Sequence, residues 1–200
     1  MAAGAGTTGP EGAGVTGSEA GPEGEGLTDT GAVCHDCARF QRRTVRMGAE
    51  ARLKELNLTL PQPATPMANY VGAVRVGSLL FVAGHGPIRH EGKGMTRGKL
   101  GRDLTTEEGY QVAREVGLNL LATVRANLGS LDKVKRIVKV LGMVRSAEGF
   151  GDQPKVINGF SDLMVEVFGE AIGKHARSAV GMAELPVGIP VEIEMIVEVE

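Results

Sequence analysis

The chain closes on ten residues, VEIEMIVEVE, that alternate without a break. Val191, Ile193, Met195, Val197 and Val199 share one side, and Glu192, Glu194, Ile196, Glu198 and Glu200 share the other. A period of two belongs to a β-strand, whose successive side chains point to opposite faces. A strand that is apolar on one face only must sit in a sheet, and that face must be covered by something amphipathic. Two upstream segments have the required pattern. Thr105 and Glu108 have the spacing of a capping box, Val112, Val116, Leu120 and Val124 step by four into an apolar stripe, and Gly129 is placed to end the helix. After Asp152, with Pro154 tolerated in the first turn, Val156, Phe160, Leu163, Val167 and Phe168 supply a second apolar helical face.

Further strands are expected over Tyr70 to Val76 and Leu79 to Gly84, joined by a turn at Gly77 and Ser78, and through the Val- and Ile-rich run DKVKRIVKVLGMVRS. The last two, Arg177–Leu185 and Pro190–Val199, read as a closing hairpin turned by PVG. The glycine-rich HEGKGMTRGKLGRD is a long loop that either covers something or stays mobile. The order strand, strand, helix, strand, helix, strand, strand predicts an α+β fold, one sheet with both helices on one face. The other sheet face also needs cover. Without a third helix to supply it, self-association into a closed symmetric assembly is the expected solution.

The N-terminal part is of another kind. Residues 1–33 are rich in Gly, Ala, Thr, Ser, Pro and Glu, with five acids and no Lys or Arg, a composition that cannot offset its own ordering entropy. The sign then flips at CARFQRRTVR, and at Met47 a short amphipathic pattern with Leu53, Leu56 and Leu58 begins. Residues 1–46 are therefore expected to be a disordered extension or a misassigned upstream start, 47–62 a surface helix and proline-rich linker (Pro61 to Pro66), and 63–200 the folded domain. Intact mass from the native cell would decide between the two readings of 1–46. The pair Cys34 and Cys37 could be half of a zinc site, but closure needs about four ligands and no second pair exists. An incidental pair is the expected reading, and no metal or cofactor is called for.

With 42% hydrophobic residues and a net charge of −2, a soluble protein without a basic face for nucleic acid is expected. No apolar run approaches the roughly 20 residues of a membrane span, and no secretory leader is evident, which points to the cytoplasm.

Four ordered stretches carry a resemblance: NYV before the first strand, VAGHGP at a turn, VINGFSDLMVEVFGE on the second helix, and HARSAVGMAELPVGIPVEIEMIVEV at the end. Together, over roughly Pro63 to Glu200, they resemble the RidA/YjgF family, and most closely a branch that carries an endoribonuclease label. The resemblance implies a chorismate-mutase-like homotrimer that hydrolyses reactive enamines and imines, such as 2-iminobutanoate, to 2-oxo acids and ammonia in clefts between subunits.

It also assigns residues. Arg177 matches the carboxylate-binding arginine, a role suited to a planar fork that stays charged. Read alone, Arg177 is an ordinary strand-end arginine. Glu192 matches the glutamate that orients the hydrolytic water. Alternation cannot separate it from Glu194, and only the resemblance selects it. Gly84, Tyr70 and Asn158 match substrate-contacting positions, and Ala179 stands where the family has a cysteine whose carbonyl helps hold water. At the turn, Ala83 replaces a common serine and His85 a common glutamine, which leaves the substrate open. His85 is counted with the substrate-binding positions, since a histidine could transfer protons near neutral pH, although a loop histidine beside glycines is more often structural or exposed. Two other readings accompany the imino-acid one. The same clefts could bind a 2-oxo acid without turnover. An endoribonuclease is disfavoured, because the chain has only two Tyr and five Phe and its densest basic cluster, Lys133, Lys135, Arg136 and Lys139, reads as a solvated strand edge.

Overall fold

The computed structural model describes residues 47–63, 68–88 and 94–200, all within one unit, Val45–Glu200. The expectations for residues 1–46, including Cys34 and Cys37, lie outside the described residues. Helix α1 (Ala49–Glu55) is followed by β1 (Ala73–Val76), β2 (Leu79–His85), α2 (Thr106–Leu128), β3 (Val134–Arg145), α3 (Gln153–Phe168), a single turn α4 (Glu170–Gly173), β4 (Ala176–Met182) and β5 (Val191–Val199). The five strands form one mixed sheet in the order β1-β2-β5-β3-β4. Only β3 and β4 run parallel; every other pair is antiparallel.

The local signals became the elements they predicted. The Thr105 hydroxyl accepts from the Glu108 amide at 3.2 Å, and the Glu108 carboxylate accepts from the Thr105 amide at 2.8 Å, closing the capping box of α2. Gly129 ends that helix at φ 81°, a left-handed value that glycine adopts without strain. All four stripe residues of α2 and all five of α3 are buried, as are the five odd-numbered residues of β5. Fully burying a large apolar side chain contributes about 1.5–3 kcal/mol. The α3 face alone therefore contributes on the order of 10 kcal/mol, set against the entropy of ordering it. Helix α1 joins this core rather than standing apart: Leu53 is buried, Arg52 Nε donates to the Glu166 carbonyl at 3.0 Å, and the Glu50 carboxylate accepts from the Leu131 amide at 3.0 Å.

One expectation is corrected. The last two strands are not a hairpin. Strand β4 pairs in parallel with β3, from Lys139 opposite Ala176 to Arg145 opposite Met182, while β5 lies between β2 and β3. The PVG stretch forms a short 3-10 turn, Pro186–Gly188, with Val187 and Gly188 both at positive φ, and it carries the chain from the sheet edge to its centre. The physical reason is burial: β5 presents an unbroken apolar face that is satisfied only at a central position with a partner on each side.

Residues 94–104 of the long loop are tied down. The Leu100 amide donates to the Arg145 carbonyl at 2.9 Å, the Gly98 amide donates to the Gly188 carbonyl at 3.1 Å, and Glu184 takes ion pairs from Lys99 (2.7 Å) and Arg145 (2.5 Å).

The helices pack on the face that carries Leu80, Val82, Val140 and Val191. The opposite face exposes Val74 (53%), Val76 (63%) and Phe81 (42%), together with Val180 and Met182 near β4's end. A hollow of about 550 Å³ lies on it, reaching Phe81, Lys139, Ser178 and Glu194.

Candidate active site

Strand β4 turns Arg177 toward α3. Pro154, Asn158 and Ser161 follow one another at helical intervals of four and three, so they share the helix face that meets the strand. The guanidinium donates through Nη1 to Asn158 Oδ1 at 2.9 Å and to Ser161 Oγ at 2.9 Å, and through Nη2 to the Pro154 carbonyl at 3.3 Å. All three acceptors are uncharged. Burial lowers the Arg177 pKa, opposed by the nearby Asp162 charge, but an arginine remains a cation at any ordinary pH. The result is a half-buried positive charge that is held in place without being neutralised by its hydrogen-bond partners.

Glu192 sits elsewhere. Its register partner is Met143, whereas Arg177 pairs with Val140, which in turn pairs with Met195. These two rows belong to opposite faces of the sheet, so Arg177 lies on the helix side and Glu192 on the open side. The carboxyl of Glu192 lies over Gly84 so closely that a Cβ there would overlap its oxygen, so any larger residue would push the Glu192 side chain out of this position. Burial, and then the charge of Glu194, raises the Glu192 pKa. A carboxylate so placed grips a proton more firmly than an exposed one.

The other named residues divide between these places. Asn158 holds Arg177. Ala179 is half-buried on β4, opposite Gly142 and on Arg177's side of the sheet. Tyr70 precedes β1 and is 55% exposed. His85 joins neither group. Simple alternation from Val82 would put it on the open face, but Val82 pairs with Met195 and His85 with Ile193, so Ala83 and Gly84 together oppose the single residue Glu194. This extra residue, a β-bulge, turns the imidazole inward. There His85 is 5% exposed, with Nδ1 2.7 Å from the Ala83 carbonyl and Nε2 2.7 Å from Thr123 Oγ1.

Burial lowers the His85 pKa, partly opposed by the bond to Ala83. The unfolded chain therefore binds the proton more tightly. Stability is fully present above about pH 6.5 and falls as the pH drops toward and through the lowered folded value. The urea midpoint is expected to decrease between about pH 7.5 and 5.5, and His85→Gln to flatten that decrease. An unchanged slope in the variant would remove His85 as its source.

Sequence reasoning missed Ser161 and His175. The Ser161 hydroxyl, besides accepting from Arg177, lies 3.1 Å from His175 Nε2. The intervals from Asn158 to Ser161 and from His175 to Arg177 were legible, but only the parallel packing of β4 beside β3, under α3, makes them neighbours.

The sequence model described as "YjgF/chorismate_mutase-like, putative endoribonuclease" matches residues 50–196. The chain belongs to the RidA/YjgF family. A Trypanosoma cruzi member, Protein TCP17, is 46% identical over 74% of this chain and 92% of its own length. A Dermatophagoides farinae member, named 2-iminobutanoate/2-iminopropanoate deaminase, is 32% identical over 72% of this chain and 95% of its own. Among solved structures, an Agrobacterium tumefaciens protein of unknown function is 44% identical with a TM-score of 0.67, covering 76% of this chain and 91% of that one. A Shewanella oneidensis protein titled a putative endoribonuclease is 33% identical with a TM-score of 0.72, covering 76% of this chain and all of that one. Family membership accounts for the α+β fold with its single mixed sheet. Among the described residues, no helix is long and apolar enough to cross a membrane.

Proposed function

We propose that this chain hydrolyses reactive 2-imino and enamino acids to 2-oxo acids and ammonia, in clefts shared by the subunits of a cytoplasmic homotrimer. The observation that carries this reading is the Arg177 guanidinium, half-buried on three uncharged acceptors. A planar cation held in this way suits a small carboxylate, which it meets through two parallel bonds. The name of the Dermatophagoides farinae relative supports the substrate class.

The sheet supports a shared cleft. Arg177 and Glu192 lie on opposite faces of one copy, so a substrate that touches both needs the glutamate of a second copy. The exposed apolar residues of the open face, Val74, Val76 and Phe81, supply a surface for that copy to cover. Arg177 and Asn158 then hold the carboxylate end, with Tyr70 and the Ala179 carbonyl lining the cleft. The main chain at Gly84 approaches the substrate beside Glu192. An enamine first tautomerises to the imine. Glu192 takes a proton from water as the water oxygen bonds to the imine carbon, and passes that proton to the imine nitrogen, giving a neutral carbinolamine. Glu192 then takes the carbinolamine hydroxyl proton and delivers it to nitrogen as the C–N bond breaks, leaving the 2-oxo acid and ammonia. The reaction needs water and no cofactor.

Coupling the protein to a threonine dehydratase and following 2-oxobutanoate tests this directly. The wild type is expected to accelerate release, and Glu192→Gln to lose about a hundredfold of that acceleration, the loss expected for a general base. No acceleration by the wild type overturns hydrolysis. Binding of 2-oxobutanoate without turnover would instead favour a metabolite-binding module.

A further inference from the structure

Behind Arg177 stands a directed run of hydrogen bonds. His175 Nδ1 lies 2.6 Å from the Gly173 carbonyl oxygen. A carbonyl only accepts, so this nitrogen bears the ring proton. In the neutral ring Nε2 is then an acceptor, and the Ser161 hydroxyl, 3.1 Å away, donates to it. With its proton turned to the histidine, Ser161 presents a lone pair to Arg177, whose Nη1 donates at 2.9 Å. Phe160 meets the imidazole edge to face, with centroids 5.8 Å apart and planes at 68°, and so fixes the ring.

We propose that His175 is a positioning residue for Arg177: acting through Ser161, it holds the guanidinium in the orientation that presents its outward N–H groups to a ligand carboxylate. The ligand class rests on the function proposed above; the positioning itself does not. Every donor in the run points the same way, from Arg177 to Ser161 to His175 to the Gly173 carbonyl, and such runs strengthen each bond in them. Among the described residues these contacts and those to Asn158 and Pro154 occupy three of the five guanidinium N–H groups, both of those on Nη1 and one on Nη2. The run requires a neutral imidazole. Burial first, and the Arg177 charge with it, lowers the His175 pKa against the opposing Gly173 bond. The other charged groups nearby are Asp162 on α3, which accepts from Tyr110 of α2, and Lys174, which is paired with Glu170 of α4. Protonation would make Nε2 a donor, set two cations face to face, and undo the orientation.

Nitrogen NMR of the full-length protein should find His175 neutral at pH 7.5 with its proton on Nδ1; a proton on Nε2 overturns the proposal. His175→Phe keeps a ring against Phe160 but has no acceptor. It is expected to raise the KM for 2-iminobutanoate and the Kd for 2-oxobutanoate about tenfold, with kcat within about twofold. Ser161→Ala should do the same, Ser161→Thr should restore the wild-type value, and the double variant should be no worse than either single one, since both cut the same run. In the wild type KM should climb below about pH 6.5, and that limb should vanish in His175→Phe. Unchanged KM and Kd, or additive losses, overturn the proposal. If His175→Phe fails to fold, the Ser161 pair decides alone.

The two readings fail separately. A protein that binds 2-oxobutanoate without hydrolysing it defeats the enzyme reading, while the Kd series still judges the positioning. If no 2-oxo acid binds, hydrogen exchange at the Arg177 guanidinium decides: it should quicken in Ser161→Ala, and an unchanged rate overturns the proposal.

Discussion

Gly159→Ala is expected to destabilise the domain by about 3 kcal/mol or more, enough to leave much of it unfolded or insoluble. Gly159 is buried in α3 where it faces the α2 backbone at Tyr110. A Cβ there would overlap the Tyr110 carbonyl oxygen and come within 2.8 Å of the carbonyl carbon. What it meets is backbone inside a helix that is itself hydrogen-bonded, so relief requires α2 and α3 to separate. That would loosen the contacts of Val112, Val116, Phe160 and Leu163, and strain the Tyr110–Asp162 bond (2.9 Å) and the Arg114–Glu166 pair that bridge the helices. Gly84→Ala is the control, because the overlapping atom there belongs to the end of the flexible Glu192 side chain, which can swing away. Urea denaturation of both variants checks the contrast. A Gly159→Ala midpoint near that of the wild type would mean that the helices separate at little cost.

Arg177→Ala is expected to lower kcat/KM for 2-iminobutanoate by two to three orders of magnitude, with the urea midpoint nearly unchanged. Removing one partner of a desolvated, hydrogen-bonded charge pair costs about 2–5 kcal/mol of binding, much of it the penalty of leaving the substrate carboxylate unpaired. Stability is spared because the protein-side partners, Asn158, Ser161 and the Pro154 carbonyl, are neutral and lie at a half-exposed edge. Arg177→Lys keeps the charge but loses the planar fork and its simultaneous hold on three acceptors, so it should recover only part of the loss. Steady-state kinetics of the three proteins decide the point. Activity of Arg177→Ala within about threefold of wild type would mean that another cation takes the carboxylate.

The residues most easily read from the sequence were those whose signal is local. Alternation in VEIEMIVEVE gave β5 and its buried side, steps of four gave the stripes of α2 and α3, and Thr105 with Glu108 gave a helix start, because each depends only on neighbours within two to four positions. Glu192 and Arg177 could be singled out only by resemblance, since neither period nor spacing separates Glu192 from Glu194 or gives one strand-end arginine a role. The inward direction of His85 was not legible for a definite reason: one bulge residue at Ala83 and Gly84 reverses the face of everything after it on the strand, and a bulge leaves no mark on the alternation that precedes it.

By itself, then, the sequence determined which segments are helix and strand and which side of each is apolar, because backbone geometry converts spacing directly into direction. Only the tertiary structure decided that β4 lies parallel beside β3 at the sheet edge. It alone set Arg177 and Glu192 on opposite faces, and it alone brought Ser161 and His175 behind the guanidinium. Strand pairing joins residues far apart in the chain, and its energy comes from burying β5 between two partners, a condition that no short stretch of sequence records.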